Sequence, residues 1–302
     1  MAALTRSGDR EWHRSRAFAL GLAPALFVLT IITLGPALYL VVTSLTPLNL
    51  VVPQSAFDFS HPLGNYKDAL TDARFLNSVW VQVKLSVATV VLQLAAGLGV
   101  ALLLNAHSRL LEAIRTVFLI PMVLPPIVVA IIWKVIYTPD VSPVHRALAA
   151  LGLPLGSLIT NADTAIWAIV LAETWEWFPF TMLMTLAALQ MIPSDPLEAA
   201  AIDGANRLQM FRYIMLPYVR PTLVVCALFR LIDSIKAFPL IYVLTNGGPG
   251  TATEVTNYYG FVQAFNFSYW GYGSAIATMM VGGVFVLSLL VGRLDTGVGN
   301  RE

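Results

Sequence analysis

Six apolar stretches, each about as long as the roughly 20 helical residues that cross a bilayer core, dominate this chain. They fall at 17–45, 78–104, 113–137, 165–191, 222–244 and 272–291. Inside hydrocarbon a backbone must satisfy its own polar groups, so such stretches become helices. The expected fold is an all-α membrane protein with six transmembrane helices. Composition agrees, with 57% hydrophobic and only 12% charged residues, against roughly a quarter charged in soluble domains. Mean hydropathy is +0.74.

The first stretch follows a basic segment, MAALTRSGDREWHRSR. Its apolar run is too long for the core of a signal peptide, about 7–15 residues, and is expected to stay as a span. Arginines decide the orientation. One set of connecting segments holds Arg6, Arg10, Arg14, Arg16, Arg109, Arg115, Arg207, Arg212, Arg220, Arg293 and Arg301, eleven in all. The alternate set holds three basic residues, Lys67, Arg74 and Arg146. Both termini and the segment 193–221 are therefore expected in the cytoplasm. The expected organisation is a cytoplasmic segment 1–16, a single six-helix membrane domain 17–292 and a cytoplasmic tail 293–302.

A net charge of +1 gives no basis for nucleic-acid binding, and the single cysteine, Cys226, excludes an internal disulfide. The external loop 46–77 contains SHPLGNYKDALTDARF, which reads as a short surface helix. The loop 138–164 reads as a short amphipathic helix ended by Gly152 and Pro154. The third external loop, NGGPGTATEVTNYYGFVQAFNFSYW, is dense in glycine and aromatic residues, and its NGGP could shape an external gate or a plain turn. Lys84, Trp133 and Lys134 read as ordinary interface residues near helix ends.

Between the fourth and fifth stretches lies EAAAIDGANRLQMFRYIMLP, a charged, alanine-rich segment at 198–217. Ser194 or Asp195 is expected to cap its first helix, with Pro196 in the first turn and Glu198 near the positive N-terminal end. Gly204 breaks that helix, a second one follows over 206–216, and Pro217 and Pro221 are expected to turn the chain back into the membrane. On physical grounds alone the segment reads equally well as a solvated connector.

Charge within a span is costly and marks functional candidates. In the fourth span Glu173, Glu176, Trp177 and Phe180 stand at i, i+3, i+4 and i+7, on one helical face. In the fifth, Arg230, Asp233, Ser234 and Ala237 repeat the spacing, with Lys236 beside them. Carboxylates accept hydrogen bonds from sugar hydroxyls, and aromatic faces stack on a pyranose ring. The alternative is an ion-pair network between packed helices.

The segment EAA, then DGA, then Phe and LP resembles the coupling loop of permease subunits of bacterial ATP-binding-cassette importers. Glu198, Ala199, Ala200, Asp203, Gly204, Ala205, Phe211, Leu216 and Pro217 all match that pattern. LTNGGPGTATE, GYGSAIATMM, FLIPMVLPPIVVAIIW and GNYKDAL are similar to the maltose and trehalose branch, so the resemblance spans most of the chain. It implies a coupling helix seated on a cytoplasmic ATPase, and import of a sugar such as trehalose or maltose by alternating access. The implied partners are a second permease subunit, two ATPase subunits that bind ATP and Mg, an extracytoplasmic sugar-binding protein and membrane lipid. It implies no cofactor or metal in this chain and a place in the bacterial cytoplasmic membrane.

The chain carries no phosphate-binding GK[ST] motif, no HExxH and no GxSxG, so ATP hydrolysis is expected on a separate subunit. Glycerol 3-phosphate importers share the same motifs, but Glu173, Glu176 and Asp233 would repel a phosphate. A proton-coupled carrier could use the same acids as a relay, although no internal repeat is visible. An intramembrane enzyme could use them for acid–base chemistry.

Overall fold

The computed structural model describes residues 2–106, 108–153 and 156–299. Within them the chain forms helices α1 (Ala2–Ser44), α2 (Gly64–Thr71), α3 (Ala73–Leu103), α4 (Arg109–Val123), α5 (Pro126–Tyr137), α6 (Pro143–Ala150) and α7 (Ala162–Gln190). There follow α8 (Ser194–Ile202), α9 (Arg207–Met210), α10 (Leu216–Ile235), α11 (Pro239–Leu244), α12 (Thr256–Phe261) and α13 (Trp270–Gly299). No strand longer than an isolated bridge occurs among the described residues.

Among the described residues, four helical runs are long and apolar enough to cross a membrane: Gly21–Ser44, Ala73–Leu103, Arg207–Ile235 and Trp270–Leu289. The third expected span is not one helix. Leu110–Val123 and Pro126–Tyr137 meet at 97°, and together they could count as a fifth, broken crossing. Pro125 and Pro126 cause the break, because neither has an N–H and each forces its predecessor out of the helical region. Leu124 accordingly sits at φ −72°, ψ 141°. The expected fourth span is α7, 29 residues long, whose two glutamates, three tryptophans and proline dilute its hydropathy below that of the four runs.

The fifth expected span is displaced. Its helix starts at Arg207 and ends at Ile235, and Pro239 then opens the separate α11. Pro217 and Pro221 do not turn the chain, contrary to expectation. A π-helical turn over Phe211–Met215 precedes them, in which the Leu216 N–H reaches back five residues to the Phe211 carbonyl. The wider turn lets the helix run on through Pro217.

α3 and α7 form the most extensive helix pair of the fold. Gly97 makes their crossing possible: a Cβ there would lie 2.5 Å from Thr181 Cβ and 2.8 Å from the Met182 backbone nitrogen. One core joins α3, α5, α7, α11 and α12 through Leu85, Val129, Ile169, Ile241 and Tyr258. A second joins the far ends of α3 and α7 to α10 through Ala101, Met182, Leu186 and Val219. α1 packs along α13, although its residues from Gly21 to Leu38 remain exposed in this chain.

The expected surface helix in 46–77 is α2, and the helix in 138–164 is α6, followed by Gly152 at φ 76°. Pro154 lies outside the described residues. The glycine- and aromatic-rich segment is not an open loop. Its α12 packs inward, with Tyr258 and Tyr259 buried. Asn246 accepts a hydrogen bond from Tyr258 Oη at 2.8 Å, and Gly247, at φ 82°, leaves no room for a Cβ beside that ring.

Asp72 caps α3, accepting from the Arg74 backbone N–H at 2.8 Å, and also accepts from the hydroxyls of Tyr259 and Tyr272. Arg74 grips the buried Glu254 with two hydrogen bonds, 2.7 and 2.8 Å long.

Candidate functional site

Where α7 passes α10 and the α10–α11 break, a cavity of about 200 Å³ opens. Glu173, Glu176 and Trp177 line it from α7, Arg230 and Asp233 from α10, and Lys236 and Ala237 from the break. Phe238, Pro239, Leu240 and Pro126 close its apolar side. The sequence spacing thus brings together six of its eight candidates. Phe180 and Ser234 are not among the lining residues. Phe180 instead packs edge-to-face on Phe229 at 6.4 Å, and Ser234 donates to Ser86 of α3 at 2.8 Å. Ala237 contributes although α10 has already ended, because the break swings it toward the cavity.

Arg230 is the hub. It is 1% exposed, and its guanidinium donates through Nη1 to Asp233 Oδ2 at 3.1 Å and through Nη2 to Glu173 Oε1 at 3.4 Å. The ring of Trp177 lies 4.2 Å beneath it, a cation–π contact strengthened by desolvation. Lys236 Nζ reaches Asp233 Oδ1 at 3.5 Å on the more exposed side. Glu176 differs from all of these: it is buried, yet neither carboxylate oxygen has a hydrogen-bond partner.

Sequence reasoning missed Gln93. Its Oε1 accepts from Arg230 Nε at 3.0 Å and its Nε2 donates to the Glu173 carbonyl at 3.1 Å. The signal was available. Ser78, Gln82, Ser86, Thr89 and Gln93 recur every three or four residues along α3, a buried polar stripe facing α7 and α10. Gln82 and Ser86 hydrogen-bond each other at 3.0 Å, and Gln82 also reaches the Ser234 carbonyl.

Other interface readings need adjustment. Trp133 faces inward, stacking edge-on with Trp175 at 5.8 Å and beside Tyr137 at 5.1 Å. Lys84 lies 5.1 Å from the Trp80 ring.

At the other end of α7, the segment 193–217 forms the short helix α8 and, after a tight turn, the first turns of the run that continues to Ile235. The Gly204 N–H bonds to the Ala201 carbonyl at 3.1 Å and the Ala205 N–H to the Ala200 carbonyl at 2.9 Å. With Gly204 at φ 78°, this is a Schellman closure, which glycine favours. The expected Ser194 or Asp195 cap is absent. Pro193 occupies the N-cap, and Ser194 Oγ instead meets Asp195 Oδ1 at 3.2 Å. The next helix starts with a reciprocal capping box between Asn206 and Gln209.

Glu198, Ala199, Asp203, Gly204 and Pro217 are exposed, whereas Ala200, Ala205, Phe211 and Leu216 are half-buried. Two large apolar side chains on this surface are bare, Ile202 at 86% and Leu208 at 71% exposure. Bare apolar groups thus stand beside small and acidic residues on this tight turn.

Residues 93–300 match the family described as binding-protein-dependent transport system inner membrane component. Among curated relatives, the trehalose/maltose transport system permease protein MalF of Thermococcus litoralis is 37% identical over 240 residues, covering 80% of each chain. The trehalose transport system permease protein SugA of Mycobacterium tuberculosis is 31% identical over 294 residues, covering 97% of this chain and 92% of the relative. A bacterial ABC transporter involved in the import of the acidic polysaccharide alginate has a chain of the same fold. Its TM-score is 0.82 at 20% identity, covering 96% of this chain and 98% of that one.

Proposed function

The chain belongs to the family of binding-protein-dependent transport system inner membrane components, and on that footing we propose that it is a permease subunit of a sugar ABC importer. The observation that carries this reading is the exposed helix α8, closed by Gly204 and flanked by bare Ile202 and Leu208. It is shaped to seat on an ATPase subunit, since this sequence has no nucleotide-binding loop of its own. Both termini and this docking face lie in the cytoplasm, and the chain crosses the membrane six times, α7 and the broken α4–α5 pair included.

The cavity beside Arg230 is part of the sugar's path. At about 200 Å³ it falls below the roughly 300–1,000 Å³ of ordinary ligand sites, which fits a partial site completed by a second permease subunit. Two ATPase subunits beneath, carrying ATP and Mg, and an extracytoplasmic binding protein above complete the importer. The relatives named for trehalose and maltose favour a disaccharide. Alternating access then follows from movement of the spans as the ATPases close and reopen.

The test is uptake by the reconstituted complex. Glu198→Lys and Gly204→Asp both alter the docking face; a Cβ at Gly204 meets nothing within 4 Å, so its cost is the backbone strain of φ 78° at this turn, and Glu198→Lys carries no such strain. Each is expected to abolish ATP-dependent sugar uptake while the subunit still inserts and folds. Normal uptake and ATPase stimulation in both variants would overturn the assignment.

A further inference from the structure

Arg230 and Glu176 line the same cavity, and a buried acid in a membrane protein ordinarily takes the nearest cation. Here it does not. The donors of Arg230 go to Gln93, Asp233 and Glu173, and Glu176, 1% exposed, keeps both oxygens empty. Asp233 is a neighbour on α10 itself, and Glu173 takes only Nη2, through the longest of the three bonds at 3.4 Å. Gln93 fixes the remaining edge, Nε, at 3.0 Å. It reaches in from a third helix, is itself 1% exposed, and is locked by its second bond to the Glu173 carbonyl.

We propose that Gln93 is a positioning residue: by holding the Nε edge of Arg230 toward α3, it keeps the guanidinium off Glu176 and leaves that carboxylate free for sugar hydroxyls. The inference rests on the reading of the cavity as the sugar's path. A carboxylate offers two acceptor oxygens side by side, and vicinal hydroxyls of a pyranose offer two donors, so an unpaired Glu176 is the group best able to grip a diol in transit. If Arg230 swung onto it, the grip would close on the protein itself.

The experiment measures radiolabelled trehalose or maltose carried per ATP hydrolysed, using the reconstituted complex with saturating liganded binding protein. A structural defect lowers uptake and hydrolysis together and leaves this ratio unchanged. Glu176→Gln is expected to lower it about tenfold, the scale of one charge-assisted hydrogen bond. Gln93→Leu is expected to lower it similarly, and the double variant no further than either single one. Gln93→Asn keeps the amide but falls one carbon short of Arg230, so it must show the same loss and serves if Gln93→Leu fails to assemble.

An unchanged ratio in the Gln93 variants, or losses that multiply in the double variant, would overturn the positioning role while leaving the cavity reading intact. An unchanged ratio in Glu176→Gln would overturn the cavity reading and this inference with it. Transport of neither sugar by the wild-type complex would do the same to the disaccharide reading.

Discussion

Arg74, at the head of α3, holds Glu254 through two parallel hydrogen bonds of 2.7 and 2.8 Å, across 180 residues of sequence. Glu254 is 2% exposed. The pair fixes the 246–255 turn to α3, with Asn77 Nδ2 adding a bond to the Thr251 carbonyl at 3.3 Å.

Arg74→Ala should therefore cost about 2 kcal/mol, since it strands a buried carboxylate, with the half-exposed arginine keeping the loss below that of a fully buried pair. Glu254→Gln, which removes the charge but keeps an acceptor, should cost less. Thermal unfolding of the purified subunit in detergent measures both, and equal losses would contradict the argument.

The α3–α7 crossing leads to a second prediction. Gly97→Ala places a methyl 2.5 Å from Thr181 Cβ and 2.8 Å from the Met182 nitrogen, so it should destabilise by about 1–3 kcal/mol. Trimming Thr181 to Ala should not restore stability, because the Cβ and the backbone nitrogen remain. Recovery in the double variant, read by the same unfolding assay, would show that the helices can separate at this point.

Asp72 supplies a pH dependence. Partial burial pushes its carboxyl up, but the hydrogen bonds from Tyr259, the Arg74 backbone N–H and Tyr272 outweigh it, and the net result lies below the ordinary aspartate value. A depressed folded value means the carboxylate contributes stability above the unfolded value of about 3.9, and that this is lost as pH falls through the folded value. Melting temperatures of wild type and Asp72→Asn should thus differ at neutral pH and converge in acid below about pH 4. A gap that stayed constant with pH would refute the assignment.

How much of this was legible in the sequence differs from element to element. Spans such as α3 and α13 announce themselves, because continuous apolarity over more than 20 residues has only one solution in a bilayer. The 97° break at Leu124–Pro125 was not read from its prolines, nor was the passage of α10 through Pro217, because a proline's effect depends on what its neighbours can re-satisfy. Glu173, Arg230 and Asp233 were visible as charges at helical spacing. Gln93 was not singled out, because its signal lies in the spacing of the neutral stripe Ser78, Gln82, Ser86, Thr89 and Gln93 and not in a charge.

Likewise, Gly204 declared its turn by residue type, while the aromatic segment around Tyr258 looked like an open loop. Tyrosines enriched at a membrane rim resemble tyrosines packed under it, and only tertiary contacts separate the two.

The unbroken run of helix from Arg207 to Ile235 has a mechanical meaning. Arg207 and Arg230 are 23 residues apart on one rod, roughly 35 Å at 1.5 Å per residue. Its change of hydrogen-bond register is the π turn at Phe211–Met215, close to the Arg207 end. A tilt at the Arg207 end would therefore displace the Arg230 guanidinium by the length of the rod, and the π turn with Pro217 is the place along it where such a tilt could be absorbed.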